Sequence, residues 1–251
     1  MNRRIKKCIW MEAEIVDYKI CDLDFNCDSC TLHSRLTGRK HLENESNKSD
    51  HVHTVEISIP DLNPTYFHAG AQYYENHCWI KHVSKNTVLI GVDEFFLGMW
   101  CGVKSILLAT SGTELIENSC FSWIVLPKGI VSLKIPFSAH VLNSNSQAHS
   151  LDFDDFRKQQ WEDRWFLKLH IQDHKLNRDK WLTKQQYLDL LNNDSNTIKQ
   201  VVKDQSTLQN YGTIASGGKI INQEGQNTFT ISMDLFRGMA KQVFHNNHIF
   251  I

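Results

Sequence analysis

Short apolar runs separated by polar or glycine-containing turns dominate the middle of the chain, between residues 73 and 171. Most are rich in β-branched or aromatic residues, and in order they read HCWIKHV, TVLIGV, VKSILLA, ELIE, SWIVLP, IVSLKIP and HVLNSN. Such runs at regular, close spacing predict short strands that pack as a β-sandwich or a flattened barrel. A last strand is predicted around residues 165–171, and the segment DEFFLGMWCG is long enough for one helical turn.

The pattern changes on both sides of this β-rich region. Residues 40–56 are polar without an apolar period, which predicts a linker or long loop, and TVEISIPDLNP then predicts a strand that covers an edge. Near the C-terminus, WLTKQQYLDLLN predicts a helix with Thr183 as its N-cap, and NTIKQVVKDQSTLQNYG predicts a second helix. FTISMDLFRGMAKQVF predicts a third, with Ser232 as a candidate N-cap.

These patterns together predict an α+β chain in four parts. They are a small cysteine-rich module at 1–45, a linker with an edge strand at 46–64, a β-rich domain at 65–173 and a helical C-terminal extension at 174–251.

Composition and charge exclude some classes of function. The 251 residues carry a net charge of -1, so no basic excess predicts binding to nucleic acid. Glu12, Glu14 and Asp17 interrupt the apolar residues near the N-terminus, so we expect neither a signal peptide nor a membrane span. A cytoplasmic location is the resulting expectation.

Four of the seven cysteines fall within the first 30 residues, at Cys8, Cys21, Cys27 and Cys30. The close pair in CDSC lets two thiolates reach one ion from a tight turn, and the two earlier thiols could complete a tetrahedral set. In a reducing compartment this crowding favours metal or redox chemistry over a disulfide framework. Three interpretations stay open: a zinc or iron–sulfur site, free or buried structural thiols, and a redox dithiol. His33 is an alternative ligand.

The three remaining cysteines, Cys78, Cys101 and Cys120, lie in or beside apolar runs and are expected to be core thiols. We find no nucleophile paired with a base, no carboxylate pair in an apolar run and no phosphate-binding loop at a specific spacing. The sequence therefore predicts that the protein is not an enzyme.

The run CFSWIVLPKGIVSLKIP predicts a hairpin with Lys128 at its tip. A lysine presented in this way can be the attachment point of a swinging cofactor arm. It can equally be an ordinary turn residue, because Pro127 supplies the φ angle that a turn needs and Gly129 tolerates the backbone conformation at the end of the turn.

Three runs of the β-rich region, YYENHCW, VLIGVDEFFLG and PFSAHVLNSN, resemble the glycine cleavage system H protein family, which carries a lipoyl group. Ala139 stands where the family has glycine, and Trp165 falls where the family has a tryptophan before its last strand. The resemblance implies a lipoyl-domain type of fold and protein partners in a multi-enzyme or redox complex. It also implies that Lys128, eight residues before Pro136, occupies the position of the lipoylated lysine.

The surroundings of that lysine differ from the family's pattern. Val125 and Ser132 stand where the family has a glutamate and an aspartate, and the resemblance implies that a lipoyl ligase docks on this hairpin. Both chain ends resemble a bacterial subgroup of H-like proteins that have a cysteine-bearing N-terminal module, many of them without the modified lysine. Two functions follow: a non-catalytic, non-lipoylated adaptor or scaffold, and a carrier that shuttles an intermediate on lipoyl-Lys128, as in glycine cleavage.

Overall fold

The structure is a computed structural model. It describes residues 7–12, 16, 19–21, 23, 25, 27, 30–36, 54–59, 62, 67–126, 129–150, 152–171, 176, 178–210, 219–221, 227–232, 236, 238–239, 242–243 and 248–250. The strands are β1 (Thr54–Ser58), β2 (Ala71–Tyr73), β3 (Cys78–Ser84), β4 (Thr87–Val92), β5 (Ser105–Leu108), β6 (Glu114–Leu115), β7 (Cys120–Leu126), β8 (Gly129–Lys134), β9 (Ala139–Ser144), β10 (Trp165–His170), β11 (Lys219–Ile221), β12 (Asn227–Ser232) and β13 (His248–Phe250). The helices are α1 (Ile9–Glu12), α2 (Thr31–Leu36), α3 (Glu94–Gly98), α4 (Gln147–Ser150), α5 (Phe153–Arg157) and α6 (Lys184–Asn210).

Two antiparallel sheets form the centre of the molecule, one in the order β2-β3-β4-β10-β9-β6 and the other in the order β13-β8-β7-β5. One apolar core unites them, since it contains Ile80 and Ile90 from the first sheet and Ile124 and Leu133 from the second. Each apolar run between residues 73 and 171 that predicted a strand contains one. The prediction of a β-rich central fold is therefore confirmed.

A third sheet, in the order β1-β12-β11, joins the segment before the central region to the segment after it. Thr54 to Ser58 pair with Ser232 to Thr228 along the full length of β1. Ser58 also donates its backbone N–H to Met99 O at 2.9 Å, beside the end of α3. The predicted strand near residue 54 is thus present, and its partner comes from the C-terminal part of the chain.

The C-terminal part differs from the sequence prediction in two respects. The first two predicted helices form the single helix α6, and β11, β12 and β13 lie in the region predicted as a helical extension. Thr183 caps α6 as predicted: its Oγ1 accepts the Gln186 N–H at 3.3 Å, and its own N–H donates to Gln186 Oε1 at 2.8 Å. No described helix is long and apolar enough to cross a membrane.

β12 was not predicted because the helical spacing of Phe236, Met239 and Val243 was extended to the run that precedes them. These three residues are helical and buried in the structure. The preceding run NTFTIS alternates apolar and polar residues, which is the pattern of a strand, and β1 supplies its partner. A partner 170 residues away in sequence cannot be recognised from the run alone.

A buried polar cluster attaches α6 to the central sheets. His77 Nδ1 lies 2.9 Å from Asp93 Oδ2, and Nε2 lies 3.3 Å from Asp194 Oδ2 on α6. Nε2 also lies 3.2 Å from the backbone oxygen of Val243, and Tyr187 donates its hydroxyl to Asp93 Oδ2 at 3.1 Å. Burying these polar groups without hydrogen-bond partners would cost free energy. The cluster therefore fixes the position of α6 against the central sheets.

The pKa of His77 reflects this environment. Burial alone lowers the pKa of the imidazole, but the carboxylates of Asp93 and Asp194 outweigh burial and raise it to about 10. His77 is therefore a buried cation between two carboxylates at neutral pH. Its φ angle of 60° lies in the left-handed region, which a non-glycine residue adopts only when its surroundings hold it there.

We predict that Gly91→Ala destabilises the fold. A Cβ at position 91 would lie 2.5 Å from Trp79 Cζ2 and 2.9 Å from the backbone oxygen of Arg164. Trp79 cannot turn away easily because its indole N–H donates to Val92 O at 2.9 Å. We expect a loss of about 1–3 kcal/mol in the free energy of unfolding, measured by urea titration. Gly238→Ala is the matched control, since nothing lies within 4 Å of its added Cβ. Equal stability of the two variants would contradict this packing.

A second prediction concerns pH. The pKa of His77 is raised in the folded state, so its contribution to stability is complete below pH 6.5 and is lost as pH rises toward 10. Between pH 7 and 8.5 we expect His77 to contribute a fall of about 1.4 kcal/mol per pH unit in the free energy of unfolding.

His77→Gln should remove this slope, whereas His140→Gln, at an exposed position of β9, should keep it. Urea titrations at several pH values measure both slopes. An unchanged slope in His77→Gln would show that the imidazole is not charged in the folded protein.

Candidate functional site

The hairpin predicted to carry Lys128 is present. β7 and β8 pair from Cys120 and Lys134 up to Leu126 and Gly129, so two residues connect the strands. Those two residues, Pro127 and Lys128, lie outside the described residues. The structure thus supports the predicted hairpin and leaves the role of Lys128 a prediction.

β7 is buried on both of its faces. Phe121, Ile124 and Leu126 belong to the main core, whereas Trp123 and Val125 belong to a second apolar cluster on the opposite side. We call that opposite side the outer face of the hairpin.

The N-terminal part of the chain covers this outer face. Cys8, Ile9 and Trp10 are buried against it in the second cluster. Phe25 adds a ring contact, with 5.6 Å between its ring centroid and that of Trp123. The described N-terminal residues and the hairpin therefore share an apolar interface.

Both edges of the hairpin are paired as well. β5 pairs with β7 from Ser105 and Val125 onward, and β13 pairs with β8 through Phe250 and Ile130. The hairpin is consequently an internal element of a four-stranded sheet.

The two positions that differ from the H-protein pattern lie inside this arrangement. Val125 is fully buried in the second cluster, and Ser132 is 2% exposed on β8. A carboxylate at position 125 would be removed from water against apolar side chains, which is unfavourable without a charged partner. The apolar Val125 and the small Ser132 therefore suit the covered hairpin.

The four N-terminal cysteines lie around one small cavity. Cys8, Cys21, Cys27, Cys30 and His33 all line a space of about 10 Å³. The backbone brings them together: Lys7 and Ile20 form an antiparallel bridge, and the Cys8 N–H donates to Lys19 O at 2.8 Å. Within the described parts of the chain, no three potential ligands already form a set that would hold a metal ion.

The thiols of this cavity influence one another. Burial raises the pKa of Cys8, and the nearby thiols of Cys21 and Cys30 raise it further. Burial is also the main cause that raises the pKa of Cys27, and the neighbouring thiols of Cys120 and Cys21 raise it further. The thiols of Cys8 and Cys27 are therefore protonated at neutral pH in the absence of a cation.

Cys120 differs from its predicted role as a core thiol of the β-rich domain. It is half-buried and packs with the second cluster, at the interface with the N-terminal module. Cys101 is also half-buried, whereas Cys78 is fully buried in the main core as predicted.

His33 lies beside the cavity with one ring nitrogen occupied. Its Nδ1 lies 3.2 Å from Trp10 Nε1, and both side chains are buried. An indole N–H can only donate, so Nδ1 accepts this hydrogen bond and the proton of the neutral imidazole is on Nε2.

Sequence reasoning did not find the interface between the module and the hairpin. Its signal was the run CFSWIVL, in which nearly every position is apolar instead of every second one. A strand with this pattern is buried on both faces, and the main core accounts for only one of them.

Comparisons with known proteins support the resemblance for part of the chain. No family model matches the chain. A glycine cleavage system H protein from Mycobacteroides abscessus is 28% identical over 82 residues, which are 33% of this chain and 63% of the relative. The chain thus covers less than two thirds of that relative's length.

Among solved structures, a glycine cleavage system H protein from Mycobacterium marinum gives a TM-score of 0.38 at 14% identity. The match covers 42% of this chain and 86% of that structure. The relative from Mycobacteroides abscessus shows a distant similarity to an H protein over a third of the chain. The resemblance to the cysteine-bearing subgroup stays a prediction.

Proposed function

We propose that this protein is a non-catalytic, H-protein-like adaptor or scaffold whose Lys128 is not lipoylated. The observation that carries the proposal is the burial of the hairpin's outer face under the N-terminal module. The similarity to an H protein over 82 residues supplies the type of β-domain. The expected partners are proteins of a multi-enzyme or redox complex.

A carrier lysine must be reached by a ligase and by the active sites that its arm visits. In this chain Trp123, Val125 and Ile130 are at most 2% exposed on the hairpin, packed against the module. Exposing each of these side chains would cost about 1.5–3 kcal/mol. An enzyme that docks on the outer face would have to supply that free energy.

We also propose that the chain is divided into four parts. Residues 1–45 form the cysteine module, 46–64 the linker with its edge strand, 65–173 the H-protein-like domain and 174–251 the C-terminal extension. The module covers the hairpin, and the extension contributes β13 to the same sheet. An adaptor could thus present one surface composed of three parts of the chain.

The buried cluster supports a non-catalytic function. Among the described histidines, His77 has a strongly raised pKa, which in a cleft would indicate catalysis. It is fully buried, and its two ring nitrogens face Asp93, Asp194 and Val243 O. This histidine therefore reaches no substrate and serves the fold.

The alternative function is a lipoyl carrier. One observation favours it: β7 and β8 pair through Leu126 and Gly129, so Lys128 lies in the short connection of a hairpin. The lysine is also in the family's register relative to Pro136.

The intact mass of the protein purified from its own host distinguishes the two functions. We expect the mass of the unmodified polypeptide, because the covered hairpin excludes the ligase. The matched controls are Lys128→Ala and Lys85→Ala, since Lys85 occupies the two-residue turn between β3 and β4. A lipoyl-sized increment that disappears in Lys128→Ala and persists in Lys85→Ala would establish the carrier.

The cover itself can be tested by proteolysis of the full chain. Phe25→Ala should weaken the binding of the module to Trp123 by about 1–2 kcal/mol. This loss corresponds to roughly 5- to 30-fold faster proteolytic cleavage within the first 36 residues. Leu36→Ala, at an exposed position of α2, is the control and should leave the rate unchanged. Equal cleavage rates of both variants and the unmodified sequence would contradict the docked module.

A further inference from the structure

We infer that Cys8, Cys21, Cys27 and Cys30 bind a single thiophilic divalent cation of the zinc type through four sulfurs, with His33 outside the coordination shell. This site goes beyond the proposed adaptor function, and either can fail without the other.

The first step is convergence. Cys30 lies 22 residues after Cys8, yet all four cysteines line one cavity. The bridge between Lys7 and Ile20 aligns the segments that carry Cys8 and Cys21. The Cys30 N–H donates to Cys27 O at 3.0 Å, which holds these two residues close together.

The second step is the size of the cavity. About 10 Å³ is close to the smallest space that holds one water molecule, so it suits one ion. An iron–sulfur cluster brings several iron and sulfide atoms and needs more room. Of the two cofactors that the cysteine pattern allows, the cavity favours a mononuclear site.

The third step is the identity of the ligands. The hydrogen bond from Trp10 occupies Nδ1 of His33, and Nε2 of the neutral ring carries the proton. A histidine ligates a metal through an unprotonated nitrogen, so this hydrogen bond excludes His33 as a ligand. His33 lines the same cavity, and N–H groups outside the coordination shell strengthen a metal site by donating to its ligands.

The fourth step is charge. Binding converts four thiols to thiolates and releases four protons to solvent, so a site with a divalent cation has a net charge of -2. Lys19 is the cationic residue among those that line the cavity. The sulfurs must turn toward a common point, since the described side chains do not already form a ligand set.

The fifth step is the stability of the module, which a bound ion would increase. The described residues of the module form two helices of four and six residues and a small apolar cluster shared with the hairpin. Modules of this size rarely fold on their own core, and a structural ion supplies the missing free energy. The ion would hold the module in the shape that covers Trp123.

The experiment uses the full chain, refolded without oxygen in the presence of zinc and passed through a desalting column. We expect about one zinc per chain by elemental analysis, with no acid-labile sulfide. Serine at any of the four positions should lower retention at least tenfold. Cys101→Ser is the matched control and should retain zinc.

The visible spectrum of bound cobalt identifies the ligating atoms, and this readout does not depend on the stability of the protein. Cobalt bound by four thiolates gives strong visible absorption, and replacing one sulfur by nitrogen shifts the bands. His33→Asn should leave the band positions unchanged while lowering the affinity about 10- to 100-fold. A shifted spectrum in His33→Asn would overturn the assignment of His33.

The site can also be tested in the unmodified sequence if a variant fails to fold. In the unmodified sequence, bound zinc should protect Cys8, Cys21, Cys27 and Cys30 from alkylation, as mapped by peptide mass, and chelation should remove the protection. Absence of zinc and cobalt binding, or iron with acid-labile sulfide, would overturn the inference. Equal loss of zinc in Cys101→Ser would do the same.

Discussion

β7 must be covered on two sides, and much of the structure follows from that requirement. Ile124 and Leu126 face the main core, and Trp123 and Val125 face the N-terminal module. Without the module, a large apolar surface would be exposed beside the hairpin. The hairpin, the module and β13 are therefore one structural unit, and a carrier function would require part of that unit to open.

The two ends of the chain are attached by different means. The N-terminal module is held by apolar contacts and, as we propose, by an ion among its four thiols. The C-terminal part is held by α6, through the charged contact of Asp194 with His77, and by the strand pairs of β12 and β13. A buried ion pair contributes little net stability, but breaking it leaves an uncompensated charge, so it specifies one position for α6.

The sequence predicted local structure well and long-range pairing poorly. Apolar spacing located the central strands, and the start of an apolar helical pattern after Thr183 predicted this residue as a cap. The structure adds Gln186, three residues later, as its hydrogen-bond partner. The pairing of β12 with β1 could not be predicted, because alternation identifies a strand without its partner. The two-sided burial of Trp123 and the occupied Nδ1 of His33 likewise depend on residues distant in sequence.

The most direct test of the account is lipoyl transfer to the full chain in vitro by a purified lipoate ligase, beside a glycine cleavage H protein as substrate. The account predicts complete modification of the H protein and none of Lys128, because the hairpin's outer face is covered by Ile9, Trp10 and Phe25. Modification of Lys128 at a comparable rate would contradict it. The hairpin would then be accessible in solution, and the carrier function would replace the adaptor.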